Sequence, residues 1–385
     1  MNAIELLDII STGETSRVQF KLNVNNEQSI AQEMVAFANT KGGTILIGVD
    51  DKSWEIVGLS DEDLRRLTNL LVNASSQHVK EPIFIGTDTV EYEGKKILIV
   101  TVPEGIAKPY KDNDGIIFMK NGANKRKVTS NEEISRLLQS SGYLYAEEKL
   151  ITQSSTEDID IDKFKTFYEE KYKETFETER VENYLENLRL GSVGKLTIAG
   201  ALLFGKKVEK LVPQFFITAI SFRGNDIENT EYRSSANITG TLDELYHKGY
   251  DFILSKLDKV QAGQPFNSIG KSEVPEIVIT ELLVNSLIHR DYFINDSIKI
   301  FVFDNRIEII SPGKLPNSLT EEQIRKGVRR SRNNVIASLA PDVMQYRGAG
   351  SGILRALQAY PKIEFINDIQ GERFIVKILR PERIL

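Results

Sequence analysis

The chain has 385 residues, of which 41% are hydrophobic and 27% charged, with a formal net charge of -6. That length accommodates two domains or three, each able to bury a core, and the acidic balance excludes a globally basic nucleic-acid binder. No cysteine occurs, which excludes disulfides, cysteine–zinc sites and thiol catalysis and fits a reducing cytoplasm. No apolar run approaches the ~20 residues that span a membrane.

The N-terminus MNAIELLDII carries no basic lead and does not read as a secretory signal. Residues 27–40 read as a helix, because Ile30, Met34, Phe37 and Ala38 recur at helical spacing. Asn25 and Asn26 are its candidate caps, and Lys41-Gly42-Gly43 stops it. Residues 44–49 are a short β-branched run, expected as a buried strand. Residues 54–59 turn back, and a helix follows over 61–79. Strands are expected near 83–89, 96–102 and 116–120. Ser130 with Glu133 spells a capping box for a helix over 131–139.

Residues 146–160 are polar and acidic and are expected as a linker. A Glu/Lys-rich helical stretch covers 162–188, and a GSVGK turn leads into 196–204. Residues 215–222 are strand-like and 242–260 helical. The strongest helix is 275–290, with Ile279, Leu282, Leu283 and Leu287 on one face. Strands at 298–303, 306–310, 363–367 and 373–379 complete an α+β chain. PFNSIGKS (265–272) is no P-loop, since Pro265 stands at the required first Gly and no apolar strand precedes it. HRD at 289–291 lacks every other kinase signature, and His78 and His247 are isolated.

Two groups of residues carry candidate chemistry. In the first, Gln19 and Lys21 alternate onto one face of a short strand, while Glu14 precedes it and Asp50 ends the next strand. Acidic residues so delivered can hold Mg²⁺ or Mn²⁺ and activate water against a phosphodiester. The same residues also read as solvated charge at strand ends. Lys120, Lys125, Arg126 and Lys127, in KNGANKRK, join Lys21 as candidate phosphate contacts. In the second group, Glu281 and Asn285 lie one turn apart on the strong helix, ahead of His289-Arg290-Asp291. The run IRKGVRRSRNN (324–334) forms a basic stripe if helical.

GET-x-x-V-x-F-K, then AFANTKGG, then ILIGVDD resembles the AlbA-like domain of the Schlafen family, over roughly residues 1–140. That order is also found in bacterial proteins described as transcriptional regulators or RecG-helicase-like. The resemblance implies a nuclease triad falling on Glu14, Gln19 and Asp50, with Glu14 and Asp50 as metal ligands. Gln19 stands where the family has Glu, so it brings no charge and cannot serve as a base, and the implied nuclease is weakened or lost.

ELLVNSLIHRDY, SPGKLP and RGAGSGI together resemble the GHKL, or Bergerat, ATP-binding fold in its RecG-C-terminal-like branch. The resemblance implies Asn285 as the Mg²⁺ ligand on bound ATP and Glu281 as the base. Gly313, Gly348, Gly350 and Gly352 would then contact the nucleotide. Ser311 stands where the fold has its adenine-reading Asp.

The expected architecture is a Schlafen/AlbA-like nucleic-acid-binding domain (1–145), a linker (146–160), and a helical lead-in with a divergent GHKL-like sandwich (161–385). The expected function is a cytoplasmic DNA- or RNA-binding transcriptional regulator whose state a nucleotide sets. Members of the group often carry a further winged helix. Its expected absence before Leu385 leaves binding to the first domain. No membrane partner is expected, and a homo-oligomer is compatible with the sequence. The alternative is an enzyme, either a metal-dependent Schlafen-type nuclease, ATP-gated and defence-related, or a weak ATPase.

Overall fold

The computed structural model describes residues 2–227, 231–260, 270–316, 319–344, 346 and 352–381. The chain divides into two units, Met1–Leu144 and Tyr145–Leu385. It is α+β throughout.

The first unit is built on a four-stranded sheet of β1 (Val18–Lys21), β2 (Gly43–Ile47), β3 (Gly86–Tyr92) and β4 (Lys95–Val102). The strand order is β1-β2-β4-β3, with β1 and β2 parallel and the remaining pairs antiparallel. Both faces are covered. Phe20, Leu46, Ile97 and Ile99 pack on helix α1 (Ala3–Thr12) through Leu6 and Ile10. Ile45, Ile47, Leu98 and Val100 face the other way, against α2 (Glu27–Asn39) and α3 (Asp61–Gln77). This is the two-residue alternation of a strand read on two sides. Asn26 caps α2 by accepting from the Ser29 N–H at 2.9 Å.

The AFANTKGG motif is explained by packing. Asn39 is buried, donates to the carbonyls of Tyr110 and Phe118 (both 2.9 Å) and accepts from the Tyr110 N–H (2.7 Å). It thereby fixes the hairpin of β5 (Phe118–Asn121) and β6 (Asn124–Lys127) on α2. Gly42 has φ +68, and a side chain there would meet the Val102 carbonyl at 2.7 Å. The capping box expected before α4 (Asn131–Ser140) does not form. Ser130 makes no side-chain cap, and Glu133 is drawn instead to Arg126. A charged partner is the stronger attraction for a carboxylate than a neutral N–H.

The second unit carries a six-stranded sheet: β7 (Ile217–Phe222), β8 (Tyr232–Ile238), β9 (Ile298–Val302), β10 (Arg306–Pro312), β11 (Ile363–Asp368) and β12 (Arg373–Leu379). Its order is β8-β7-β9-β10-β12-β11, parallel only between β7 and β9. Ile217, Ile298, Ile300, Ile307, Ile309, Val376, Ile378 and Phe365 share one face by register and are buried. Helices Leu242–Leu254, Glu276–His289 and Asn334–Val343 contribute to the same core.

The stretch 146–160, expected as a linker, is integrated into this unit. Glu147 is fully buried, and its carboxylate accepts from the N–H groups of Val335 (2.9 Å) and Ile336 (2.7 Å). It thus satisfies the start of the Asn334–Val343 helix, whose first N–H groups have no partner within the helix. Composition could not reveal this, because the acidic residue is used 188 positions away. The basic run 324–334 is helical at its start, through Glu321–Arg325, and then crosses as a loop until Asn334 opens the next helix.

Candidate nucleic-acid site and nucleotide cavity

In the first unit, β1 lies at the sheet edge with Gln19 facing α2 and Phe20 facing α1. Glu14 accepts from the Gln19 side-chain amide and from the Phe20 N–H (2.8 Å). The Gln19 carbonyl oxygen accepts from the Lys120 ammonium at 2.7 Å. Lys120 and Phe118 alternate inward on β5, so the Lys120 ammonium rests 4.8 Å over the Phe37 ring. It also stands 3.5 Å from Glu33, whose other oxygen is 3.2 Å from the Lys125 ammonium. The Lys120 side chain has 0% exposure. Burial pushes its pKa down, and the Glu33 and Glu14 carboxylates oppose that.

Asp50 is used elsewhere. One oxygen accepts from the N–H groups of Lys52 (2.9 Å) and Ser53 (2.8 Å) and from the Ser53 hydroxyl (3.1 Å). These bonds, led by the Ser53 N–H, hold its pKa below the usual carboxylate value. The turn presents Trp54, whose ring packs on Gly13 and meets Phe20 edge-on at 6.5 Å. Among the described residues no group of three or more His, Asp or Glu could hold a metal ion. A divalent metal does not fit the Glu14–Gln19 pair, because the ammonium of Lys120 already contacts the amide oxygen that would ligate it.

In the second unit, a cavity of about 280 Å³ opens between the Glu276–His289 helix and β10–β12. Glu281, Asn285 and His289 follow one another at i, i+4 and i+8, and all three line it. Its apolar wall is Ile309, Leu319, Ile324, Phe365, Phe374 and Val376, and Arg329 and Arg330 line it from the crossing loop. Both arginines are exposed, and neither makes an ion pair among the described residues.

Glu281 is fully buried, accepts from the Tyr346 hydroxyl and meets Arg355 at 2.5 Å. Burial raises its pKa against the pull of Arg355. Asn285 donates to the Glu281 carbonyl (2.6 Å). The Nδ1 of His289 is buried without a partner, and burial, then Arg332 and Arg329, push its pKa down to about 4. The Ser311 hydroxyl donates to the Ser286 carbonyl at 3.1 Å.

HRDY is mainly scaffold. The Arg290 guanidinium lies 4.6 Å over Phe215 and donates to the Asp296 carbonyl (2.6 Å). The Tyr292 hydroxyl donates to the Leu287 carbonyl (3.0 Å). Asn333, fully buried, donates to the carbonyls of Ile288 and Arg290 (both 2.8 Å) and so closes the helix C-terminus.

Residues 14–129 match the family described as "Schlafen, AlbA_2", and residues 295–373 match "Putative ATP-dependent DNA helicase recG C-terminal". The chain joins a Schlafen AlbA_2 domain to a RecG C-terminal-type domain. Together these segments carry a nucleic-acid-associated role in its coarse form. Among solved structures, the chain resembles the DIP2311 protein of Corynebacterium diphtheriae at 19% identity, covering 99% of this chain and 80% of that one, with TM-score 0.47. It also resembles the N-terminal domain of a "Putative ATP-dependent DNA Helicase RecG-related Protein" from Nitrosomonas europaea. That match has 24% identity, covers 34% of this chain and 96% of that one, and has TM-score 0.26. At these values neither likeness bears on function. No helix among the described residues is long and apolar enough to cross a membrane.

Of the residues singled out in the sequence, the AlbA_2 domain joins Glu14, Gln19, Lys120 and Lys125 in one network and gives Asp50 its own turn. Arg126 pairs with Glu133, while Lys21 and Lys127 make no ion pair among the described residues. The second unit brings Glu281, Asn285, Gly313 and Gly352 to one cavity, the first two of them ahead of the matched segment. Gly348 and Gly350 lie outside the described residues, as does the start of PFNSIGKS at 265–269. The sequence reading missed Glu33, although a carboxylate on the stripe of Ile30 and Phe37 is a legible anomaly. It also missed Arg17 and Lys41, both exposed and unpaired among the described residues, which the parallel β1–β2 register brings to the same sheet end.

Proposed function

We propose that this protein is a cytoplasmic nucleic-acid-binding regulator in which the AlbA_2 domain holds DNA or RNA without cutting it. The RecG-type domain reports a bound nucleotide, and the output is control of transcription. The observation that supports binding over cleavage is the Lys120 ammonium on Gln19, which removes the ligand set that metal-dependent cleavage would need. Arg17, Lys41, Lys21 and Lys127 remain to contact phosphate, which suits sequence-independent affinity.

The nucleotide half is supported by the partnerless Nδ1 of His289, the two unpaired arginines and the apolar wall of the cavity. There Asn285 would hold the Mg²⁺ that accompanies a nucleotide, since its side-chain oxygen makes no hydrogen bond among the described residues. Mg²⁺ would neutralise phosphate charge. Arg329 and Arg330 would orient the phosphates. Glu281, tied to Tyr346 and Arg355, is poorly placed to take a proton from water, so the reading is binding with little hydrolysis.

The deciding experiment incubates the full chain with labelled single- and double-stranded DNA and RNA, with and without Mn²⁺. Intact, shifted substrate whose affinity falls steeply with salt is expected. Cleavage lost on Glu14→Ala would establish the rival nuclease. Calorimetric ATP binding lost on Asn285→Ala tests the second half.

A further inference from the structure

We propose that the Lys120 ammonium is the resident cation of the Glu14–Gln19 site, standing where a three-carboxylate site would seat a divalent metal. It deepens the binding reading, with which it shares the Lys120–Gln19 contact, and it is tested apart from nucleic acid.

The geometry is specific. One Lys120 N–H goes to the Gln19 carbonyl oxygen and another to the Ala123 carbonyl. The remaining charge faces the Glu33 Oε2, 3.5 Å away, an oxygen with no hydrogen bond of its own. The backbone also fixes the residue, since its N–H donates to the Thr40 hydroxyl at 3.0 Å. Thr40 belongs to the same AFANTKGG motif whose Asn39 clamps β5.

Charge balance points the same way. Glu14 and Glu33 supply two negative charges, and Lys120 and Lys125 supply two positive ones. These four groups sum to zero before any metal enters, Lys21 adds a further positive charge that acts on Lys120, and an incoming dication would meet a fully buried ammonium.

Gln19 then has a positive role. The amide donates to Glu14 through its nitrogen and accepts from Lys120 through its oxygen at once. A carboxylate in its place would accept from Lys120 but repel Glu14. The departure from the family's Glu is therefore half of a Gln–Lys pair.

The test measures Mn²⁺ binding to the full chain by electron paramagnetic resonance, with no nucleic acid or nucleotide present. Tryptophan fluorescence gives a second readout, because Trp54 is the sole tryptophan and packs on Gly13, next to Glu14. Wild type and Glu14→Ala should give the same Mn²⁺ isotherm. Gln19→Glu alone should gain no Mn²⁺. Gln19→Glu with Lys120→Met, if its melting transition is retained, should bind one added equivalent at least about tenfold tighter than wild type.

Loss of a bound Mn²⁺ in Glu14→Ala would overturn the proposal, as would its gain in Gln19→Glu alone. Both single variants leave Lys120 in place, so they decide the matter even if the double variant does not fold. Failure of the shift assay would count against nucleic-acid binding and leave this result standing.

Discussion

Arg332 and Asp291 form a buried ion pair at 3.0 Å beside Gly313. The arginine comes from the cavity loop and the aspartate from the turn after the Glu276–His289 helix, so the pair ties loop to helix. A buried pair adds little net stability over an apolar pair, but an unpartnered buried charge is costly. Asp291→Ala should cost the second unit about 3–5 kcal/mol, and adding Arg332→Met should recover much of it. Urea unfolding of both variants checks this. Equal stability of single and double variants would show that the charge is not stranded.

Gly313 lies under that pair with φ +99, and a Cβ there would sit 2.5 Å from the Asp291 Cβ and 2.7 Å from the Arg332 Nη1. Gly313→Ala should therefore cost about 2–4 kcal/mol from the backbone and the overpacking together. A melting temperature within a degree of wild type would contradict that.

Two buried groups should give opposite pH slopes. His289 titrates near 4 when folded against an ordinary 6.5. The unfolded chain binds the extra proton between those values, so this stabilisation is present above 6.5 and is lost as pH falls toward 4. Glu147 is pushed up by burial to about 7 from 4.5, so its contribution is largest below 4.5 and is lost as pH rises toward 7. Melting curves across this window should show His289→Gln less acid-sensitive than wild type. Glu147→Gln should gain relative to wild type as pH rises. Curves parallel to wild type would refute both assignments.

Arg329 and Arg330 line the cavity with unpaired guanidiniums. If they face the phosphates of a nucleotide, Arg329→Ala and Arg330→Ala should each weaken ATP binding about tenfold, as loss of a charged hydrogen bond does. Adenosine binding should hardly change. Calorimetry with both ligands distinguishes this from a general disturbance of the cavity, which would weaken both alike.

Asn39 makes its hydrogen bonds to Tyr110 and Phe118 in the core of the first unit. Asn39→Leu should leave three backbone groups without partners and cost about 2–4 kcal/mol. Because the same contacts hold β5, the Lys120 placement should loosen too, read as faster amide exchange at 118–121. Unchanged exchange there would mean the hairpin is held by other contacts.

What the sequence determined by itself was local. Apolar spacing placed the core helices and strands, AFANTKGG marked a helix stopped by a turn, and Asn26 was legible as a cap. The four-residue spacing of Glu281, Asn285 and His289 is enough to put them on one stripe of their helix. These features depend on neighbours within a turn or a strand, so the string of residues carries them.

Tertiary structure decided the partners of the charges. Gln19 and Lys120 are 101 positions apart, and Glu147 and Ile336 are 189 apart. A carboxylate or an ammonium has the same composition whether it holds a metal, caps a helix or neutralises a neighbour. Only the chain's return in space selects among these roles. For that reason Asp50 could be read as a metal ligand and 146–160 as a linker, while the fold uses Asp50 to build a turn and Glu147 to begin a helix.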